Sequence, residues 1–285
     1  MVSQDLTPIV IAGPTGSGKS AFALELAHQI NGEIICADSR QIYQRMSIGT
    51  ACPSPEDYAK IKHHGFERLD PHETYSAGQF IVDTDAYVSE IQTRQKTPVL
   101  VGGTGLYLRA WRFGLDDVLP ADPNIRAKLD QKSLETLYQK LKSVDPESLI
   151  HSHDSVRIKR ALEIYELTGQ SATSLRQTNW NRAPRIKAEW FLLNLDKAEL
   201  DTRLQNRVIQ MFEQGLLEEA SELREYLGVH ERLQTPGYLE ALQFVDGLIS
   251  KEQALELTFR RHRQYAKRQN TWFKKESYWK PISKP

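Results

Sequence analysis

Apolar positions along this chain follow two rhythms. Short apolar runs at residues 8–12 (PIVIA), 33–37 (EIICA), 97–101 (TPVLV) and 190–195 (WFLLNL) predict strands. Residues 21–30 instead carry Phe22, Leu26 and Ile30 at four-residue steps, the spacing of one helix face. Strands alternating with helices predict an α/β layer with a mostly parallel sheet. From about residue 115 to 184 the texture changes. Helical periodicity covers 125–141 and 156–167, the latter closed by Gly169, and no strand-like run interrupts it. Beyond residue 196 the pattern is helical again, at 198–214, 216–227, 238–245 and 251 to about 275. The expected organisation is a core of residues 1–114 and 185–285 that carries residues 115–184 as a helical insertion lobe. No internal repeat or low-complexity segment is present.

Composition sharpens this only in places. With 285 residues, 40% hydrophobic and 26% charged, the chain can bury one good core and a smaller second lobe. No apolar run approaches the roughly 20 residues that span a bilayer. The opening MVSQDLTPIVIAG lacks a basic segment followed by a long apolar one, so no signal peptide is expected. The two cysteines, Cys36 and Cys52, make neither a disulfide framework nor a zinc site, and a reducing cytoplasm is the expectation. The histidines His63, His64, His151 and His153 lack ligand spacing with other donors and are expected to be structural or solvent-facing. Net charge is zero, which by itself argues against a nucleic-acid partner. Its distribution argues the other way, because residues 260–280 hold eight lysines and arginines against Glu276 alone. A local field of that size matters more to a phosphate backbone than the global sum.

Candidate chemistry lies just after the predicted strands. Gly13, Pro14, Thr15, Gly16, Ser17, Gly18, Lys19 and Ser20 fit the P-loop pattern in full, between a strand and a helix. Glycines let the backbone wrap a phosphate, with N–H groups and the helix dipole directed at it. Lys19 adds a full charge, and the Ser20 hydroxyl is within reach of a magnesium ion. The motif specifies a polyphosphate without specifying ATP. Asp38, Ser39, Arg40 and Gln41 follow the second strand, on the side where open α/β sheets bind ligands. A carboxylate there serves as general base or magnesium ligand, or simply caps a turn. Gly102, Gly103, Thr104 and Gly105 follow the third strand; close approach to a ligand and a plain strand-to-helix turn both fit. Arg203 and Arg207 share a helix face, either to clamp phosphate oxygens or to sit solvated beside Glu199 and Asp201. In 264–273 the basic residues Lys267 and Arg268 are interleaved with Tyr265, Trp272 and Phe273. That is a nucleic-acid-binding pattern if the rings stack on bases, and an amphipathic terminal helix if they pack on the core.

Taken together, GPTGSGKS, ADSRQIYQRMSIGTA, YSAGQF, PVLVGGTGLYLRA, DSVRIKRALEIYELTG and QYAKRQNTWF resemble the tRNA dimethylallyltransferase (tRNA isopentenyltransferase) family in order and spacing, over nearly the whole chain. The resemblance implies an α/β P-loop core with a parallel sheet flanked by helices. It implies transfer of a dimethylallyl group from dimethylallyl diphosphate to N6 of the adenosine just 3′ of the anticodon, with magnesium as cofactor and a monomeric enzyme. By the resemblance Asp38 is the general base, Thr104 a donor to the diphosphate, and Arg203 or Arg207 the phosphate arginine. Residues 38–41 and Val156, Arg157, Ile158, Lys159 and Arg160 match segments that touch tRNA, and 115–184 the lobe that grips the anticodon stem-loop. Cys52 stands where the family often has Lys, and Pro236, Leu239 and His262 also depart from its pattern. The rival readings are a prenyltransferase for free adenine nucleotides, a small-molecule kinase, and an RNA-binding regulator with a relic P-loop. The last two leave the basic tail or the intact Lys19, Ser20 and Asp38 unexplained.

Overall fold

A computed structural model describes residues 6–115, 122–179 and 183–282, with the backbone alone for 176–179. The chain divides into two compact units, Met1–Arg112 with Ile186–Pro285, and Phe113–Arg185. In chain order the first unit begins with β1 (Ile9–Ala12), α1 (Lys19–Gln29), β2 (Gly32–Cys36), α2 (Ser47–Thr50), α3 (Pro55–Lys60), β3 (His63–His64), α4 (Ala77–Thr93), β4 (Thr97–Gly102) and α5 (Gly105–Phe113). The second unit holds α6 (Pro123–Asp130), α7 (Leu134–Val144), α8 (Ser155–Thr168) and α9 (Ala172–Asn179). The chain then returns through β5 (Glu189–Leu193), α10 (Lys197–Glu213), α11 (Leu216–Leu227), a 3₁₀ turn, α12 (Tyr238–Val245), α13 (Lys251–Phe273) and β6 (Lys280–Ile282).

Among the described residues the sheet has six strands in the order β3-β2-β4-β1-β5-β6, all parallel. Helices cover both faces, so the central strands are apolar throughout: Val10, Ile11, Ala12, Val99 and Leu100 are fully buried. Register places Ala12 beside Gly102 and Cys36 beside Val101. The loops leaving β1, β2 and β4 therefore emerge side by side at the carboxyl edge. At the outer edge β6 carries Pro281, which lacks the N–H a central strand needs.

The α/β class and the parallel sheet agree with the sequence pattern. The 125–141 segment forms two helices rather than one, because the Ser133 hydroxyl accepts from Thr136 N–H and starts α7 afresh. The sequence pattern also passed over α4, although Ser76 and Gln79 form a capping box at its start, a signal readable as S-x-x-Q. The edge strands β3 and β6 are two and three residues long, too short for any periodicity to register. In the second unit Leu129, Leu137, Leu141, Ile158 and Leu162 form the core. There the buried Glu163 accepts from Asp122 N–H (2.8 Å) and Arg126 Nε (3.0 Å) and pairs with Arg160. Among the described residues no helix is long and apolar enough to cross a membrane.

Candidate active site

The 13–20 loop turns tightly because Gly16 and Gly18 adopt φ values of 79° and 84°, which side chains disfavour. That turn delivers Lys19 as the first residue of α1, with its ammonium donating to the Pro14 carbonyl at 3.5 Å. Burial pushes the Lys19 ammonium down to about 8, partly offset by the nearby Asp38 carboxylate. Ser20 follows it, exposed on the first turn of α1. Ser17 is fully buried, and its hydroxyl has no partner among the described residues.

Asp38 leaves the end of β2 half-buried and lies within electrostatic reach of Lys19 and Arg207. Its Oδ1 accepts from Arg40 N–H at 2.9 Å, a turn-stabilising bond; among the described residues Oδ2 has no hydrogen-bond partner. One oxygen thus shapes the loop and the other stays available. Ser39 N–H donates to Thr104 Oγ1 at 2.9 Å, and that hydroxyl lies 3.3 Å from Ser39 Oγ. Thr104 therefore links the second and third loops. The Gln41 amide points inward to the carbonyls of Thr50 (3.1 Å) and Ala51 (2.6 Å), which occupies the group expected to touch RNA.

The two arginines of α10 have different surroundings. Arg203 donates to the Ser17 carbonyl at 3.1 Å and pairs with Glu199, so it braces the 13–20 loop. Arg207 donates to the Thr50 carbonyl at 3.2 Å, and its Nε has no partner among the described residues. Its neighbours include Lys19, Asp38, Cys52 and His262. Burial lowers the affinity of its guanidinium for a proton, and Asp38 opposes that shift. His262 beside it is held down to about 3, first by burial and then by Arg207 and Arg261. It is therefore neutral and adds no charge to the cluster.

Helix α13 closes the site. Its buried stripe is Ala254, Thr258, His262, Ala266, Gln269 and Phe273 at three- and four-residue steps. Phe273 is 1% exposed and sits in the core, so it is not available to stack on a base. The Trp272 ring packs over Gly105, where a Cβ would overlap it. Tyr265 is half-buried near Asp38, and burial raises its hydroxyl well above the usual range. Lys267 and Arg268 are exposed, with the Arg268 guanidinium 5.6 Å from the centre of the Tyr265 ring. The amphipathic reading thus holds for Trp272 and Phe273, and the basic face remains outward.

The sequence pattern missed Gln269. It is 6% exposed, accepts from Thr15 N–H at 2.8 Å and donates to the Gly103 carbonyl at 3.0 Å. The 156–160 segment lies on α8 in the second unit. There Val156 and Arg157 are exposed, while Lys159 pairs with Asp130 and Arg160 with Glu163. Ile158 is fully buried in that unit's core, which removes it as a direct RNA contact. Among the described residues no group of three or more His, Cys, Asp or Glu could hold a metal ion.

Comparison with known proteins agrees in sequence and fold. The IPP transferase family profile matches residues 41–276, and the isopentenyl transferase profile matches 7–67. The chain is 41% identical to tRNA dimethylallyltransferase 1 of Citrifermentans bemidjiense, over 95% of this chain and 90% of that one. It is 39% identical to tRNA dimethylallyltransferase of Alkalilimnicola ehrlichii, over 96% and 90%. Among solved structures, the tRNA isopentenylpyrophosphate transferase of Bacillus halodurans superimposes with a TM-score of 0.70 at 33% identity, covering 98% of this chain and 90% of that one. A eukaryotic dimethylallyltransferase acting on tRNA gives 0.83 at 28% identity, covering 97% and 73%. With the profile match spanning most of its length and relatives near 40% identity, this chain belongs to the IPP transferase family, the family of the tRNA dimethylallyltransferases.

Proposed function

We propose that the chain transfers a dimethylallyl group from dimethylallyl diphosphate to N6 of the adenosine 3′-adjacent to the anticodon in tRNA, releasing diphosphate. The observation that carries this reading is the grouping of Lys19, Asp38 and Arg207 at the carboxyl edge of the sheet in a member of this family. Two cations and one carboxylate with a free oxygen suit a reaction that develops charge on a leaving diphosphate while a proton departs from an amine. The named relatives favour a tRNA acceptor over a free adenine nucleotide, and prenyl transfer over phosphoryl transfer.

Adenine N6 is a weak nucleophile because its lone pair is delocalised into the ring. The chain aligns N6 with the allylic carbon, an entropic advantage of several kcal/mol. The N6–carbon bond forms as the carbon–oxygen bond to diphosphate breaks, and the N6 proton passes to Asp38 Oδ2. Amides of the 13–20 loop, Lys19 and Arg207 hold the leaving group. Arg207 takes this role rather than Arg203, whose guanidinium is engaged with Ser17 and Glu199. Thr104 joins by turning its hydroxyl from Ser39 Oγ to a diphosphate oxygen. Magnesium fits the donor set: Ser20 would hold it through its exposed hydroxyl, and such sparse protein ligation leaves the other positions to water and phosphate. When bound, the ion neutralises charge on the diphosphate. Lys267 and Arg268 contact the RNA backbone, and the helical unit takes the anticodon stem-loop. Unstacking the adenine costs a few kcal/mol, which these contacts offset. Two free thiols, Cys36 and Cys52, and the family resemblance fit a monomeric enzyme in a reducing cytoplasm.

The test is incubation with labelled dimethylallyl diphosphate and magnesium, in parallel with tRNA, with the same tRNA carrying guanosine at the target position, and with AMP. Label is expected in the first tRNA alone. Label in AMP, or ATP turnover without prenyl transfer, contradicts the reading.

A further inference from the structure

Gln269 uses both ends of its side chain on backbone groups of two ligand-facing loops. Oε1 accepts from Thr15 N–H at 2.8 Å, so this amide of the 13–20 loop faces the glutamine instead of an anion. Nε2 donates to the Gly103 carbonyl at 3.0 Å. Beyond Gly103, Thr104 Oγ1 accepts from Ser39 N–H, and Ser39 adjoins Asp38. One buried amide therefore begins a hydrogen-bonded path through all three loops at the carboxyl edge. The fit is close, since a Cβ on Gly103 would overlap the Gln269 amide nitrogen. Two residues and one residue before Gln269 on the same helix, Lys267 and Arg268 point outward and are exposed. A single turn of α13 thus carries an inward clamp and an outward cationic face.

We infer that Gln269 is a positioning residue that presets the diphosphate cradle and couples its affinity to RNA engagement by α13. The inference rests on the 13–20 loop being that cradle and on Lys267 and Arg268 meeting RNA. The physical argument is linkage. RNA held on the outer face restrains α13, and a restrained Gln269 keeps the Thr15 and Gly103 backbones in one arrangement. The diphosphate then binds a loop whose ordering has already been met, so each ligand raises the affinity of the other by the same factor. Severing the clamp leaves both sites present and removes the factor.

The experiment uses inorganic pyrophosphate with magnesium as the cradle probe and an unmodified anticodon stem-loop RNA as the α13 probe, a pair that cannot react. Calorimetry gives pyrophosphate affinity with and without RNA, for wild type and for Gln269→Leu, which keeps a comparable bulk and loses both polar ends. In wild type the stem-loop is expected to tighten pyrophosphate binding several-fold. In Gln269→Leu the affinity falls about tenfold, the scale of one or two lost hydrogen bonds, and the RNA effect disappears. In turnover, KM for the prenyl donor rises while kcat changes less. A purely structural role instead lowers the melting temperature and leaves the RNA effect intact in the folded fraction. Native-state amide exchange on wild type supplies a second reading if the variant does not fold: Thr15 N–H gains protection when the stem-loop binds. Wild-type pyrophosphate affinity and RNA effect in folded Gln269→Leu, or unchanged Thr15 protection, overturns the inference. Failure of the functional reading is distinct, because wild type then transfers no prenyl group to tRNA at all.

Discussion

The 13–20 and 103–105 loops leave neighbouring strands, β1 and β4, and share a glycine-rich composition, yet glycine meets a different need in each. At Gly16 and Gly18 the backbone itself requires it, with φ of 79° and 84°, and at Gly16 the Leu204 side chain of α10 also crowds the place of a Cβ. At Gly103 and Gly105 the space is taken by another part of the chain, the Gln269 amide and the Trp272 ring of α13. The first loop is shaped largely by its own torsions, the form expected of a loop that wraps an anion. The second is shaped to receive a helix. A glycine-rich turn after a strand is therefore not by itself a ligand site, and the question to ask is what occupies the missing side chain's volume.

The contrast predicts that chemistry fails when groups between the loops change, and that folding fails when the helix seat is filled. Asp38→Asn keeps the turn bond to Arg40 N–H and loses the proton acceptor. Single-turnover prenyl transfer should fall about 10²- to 10⁴-fold with donor affinity and melting temperature nearly kept. Normal chemistry in the folded variant would leave Asp38 with its turn-forming role alone.

Filling the seat comes next in size. Gly105→Ala sets a methyl against the Trp272 ring and should cost about 1–3 kcal/mol by overpacking, read from denaturant unfolding. Pairing it with Trp272→Ala should give a non-additive cycle, because the second change removes the clash. Strict additivity would mean that the helix seat is misassigned. Gly18→Ala should cost about 1–2 kcal/mol from its left-handed backbone. Here the nearest obstacle is Arg203 Nη1, 2.8 Å from the added Cβ and at the end of a flexible side chain. Arg203→Ala should consequently relieve Gly18→Ala little, in contrast to the Gly105 pair.

The smallest effect is a pH dependence. Burial brings the Lys19 ammonium down to about 8 from 10.5. Below pH 8 Lys19 is charged and attracts diphosphate; above it the charge is lost. Donor KM should stay flat below pH 8 and rise up to about tenfold per unit above it, and Lys19→Met should flatten the rise. The sign for folding is opposite. A lysine depressed in the folded state makes folding less favourable below pH 8, and that penalty fades between 8 and 10.5. An unchanged KM across pH 7–10 would exclude Lys19 from charge recognition.

Much of the candidate site is visible in local sequence, because the GPTGSGKS pattern concerns consecutive backbone groups and one adjacent lysine. The position of Asp38 was readable for a similar reason, since it follows a buried strand whose carboxyl end sets it near Lys19 and Arg207. Arg203 and Arg207 share a helix face, so spacing does not separate them; the partners that do, Ser17 and Thr50, lie 186 and 157 residues away in sequence. Gln269 is the extreme case. Thr258, His262 and Gln269 are polar residues on the buried face of α13, and a polarity pattern assigns such residues to solvent. Aromatic residues err in the other direction: the same string that suggests base stacking places Trp272 and Phe273 against the core.

The distance along the chain between Thr15 and Gln269 also sets an order of events during synthesis. The first loop leaves the ribosome 254 residues before the glutamine that secures it. At 5–20 residues per second that interval is roughly 13–50 s. During it β1, β2 and β4 are free to associate, since all three lie within the first 102 residues. The segment that carries Lys19 is thus made well before its hydrogen-bond partner in α13. Until α13 is made, Thr15 N–H therefore lacks the side-chain acceptor it has in the finished fold, and the bond that ties the 13–20 loop to α13 belongs to the last stage of synthesis.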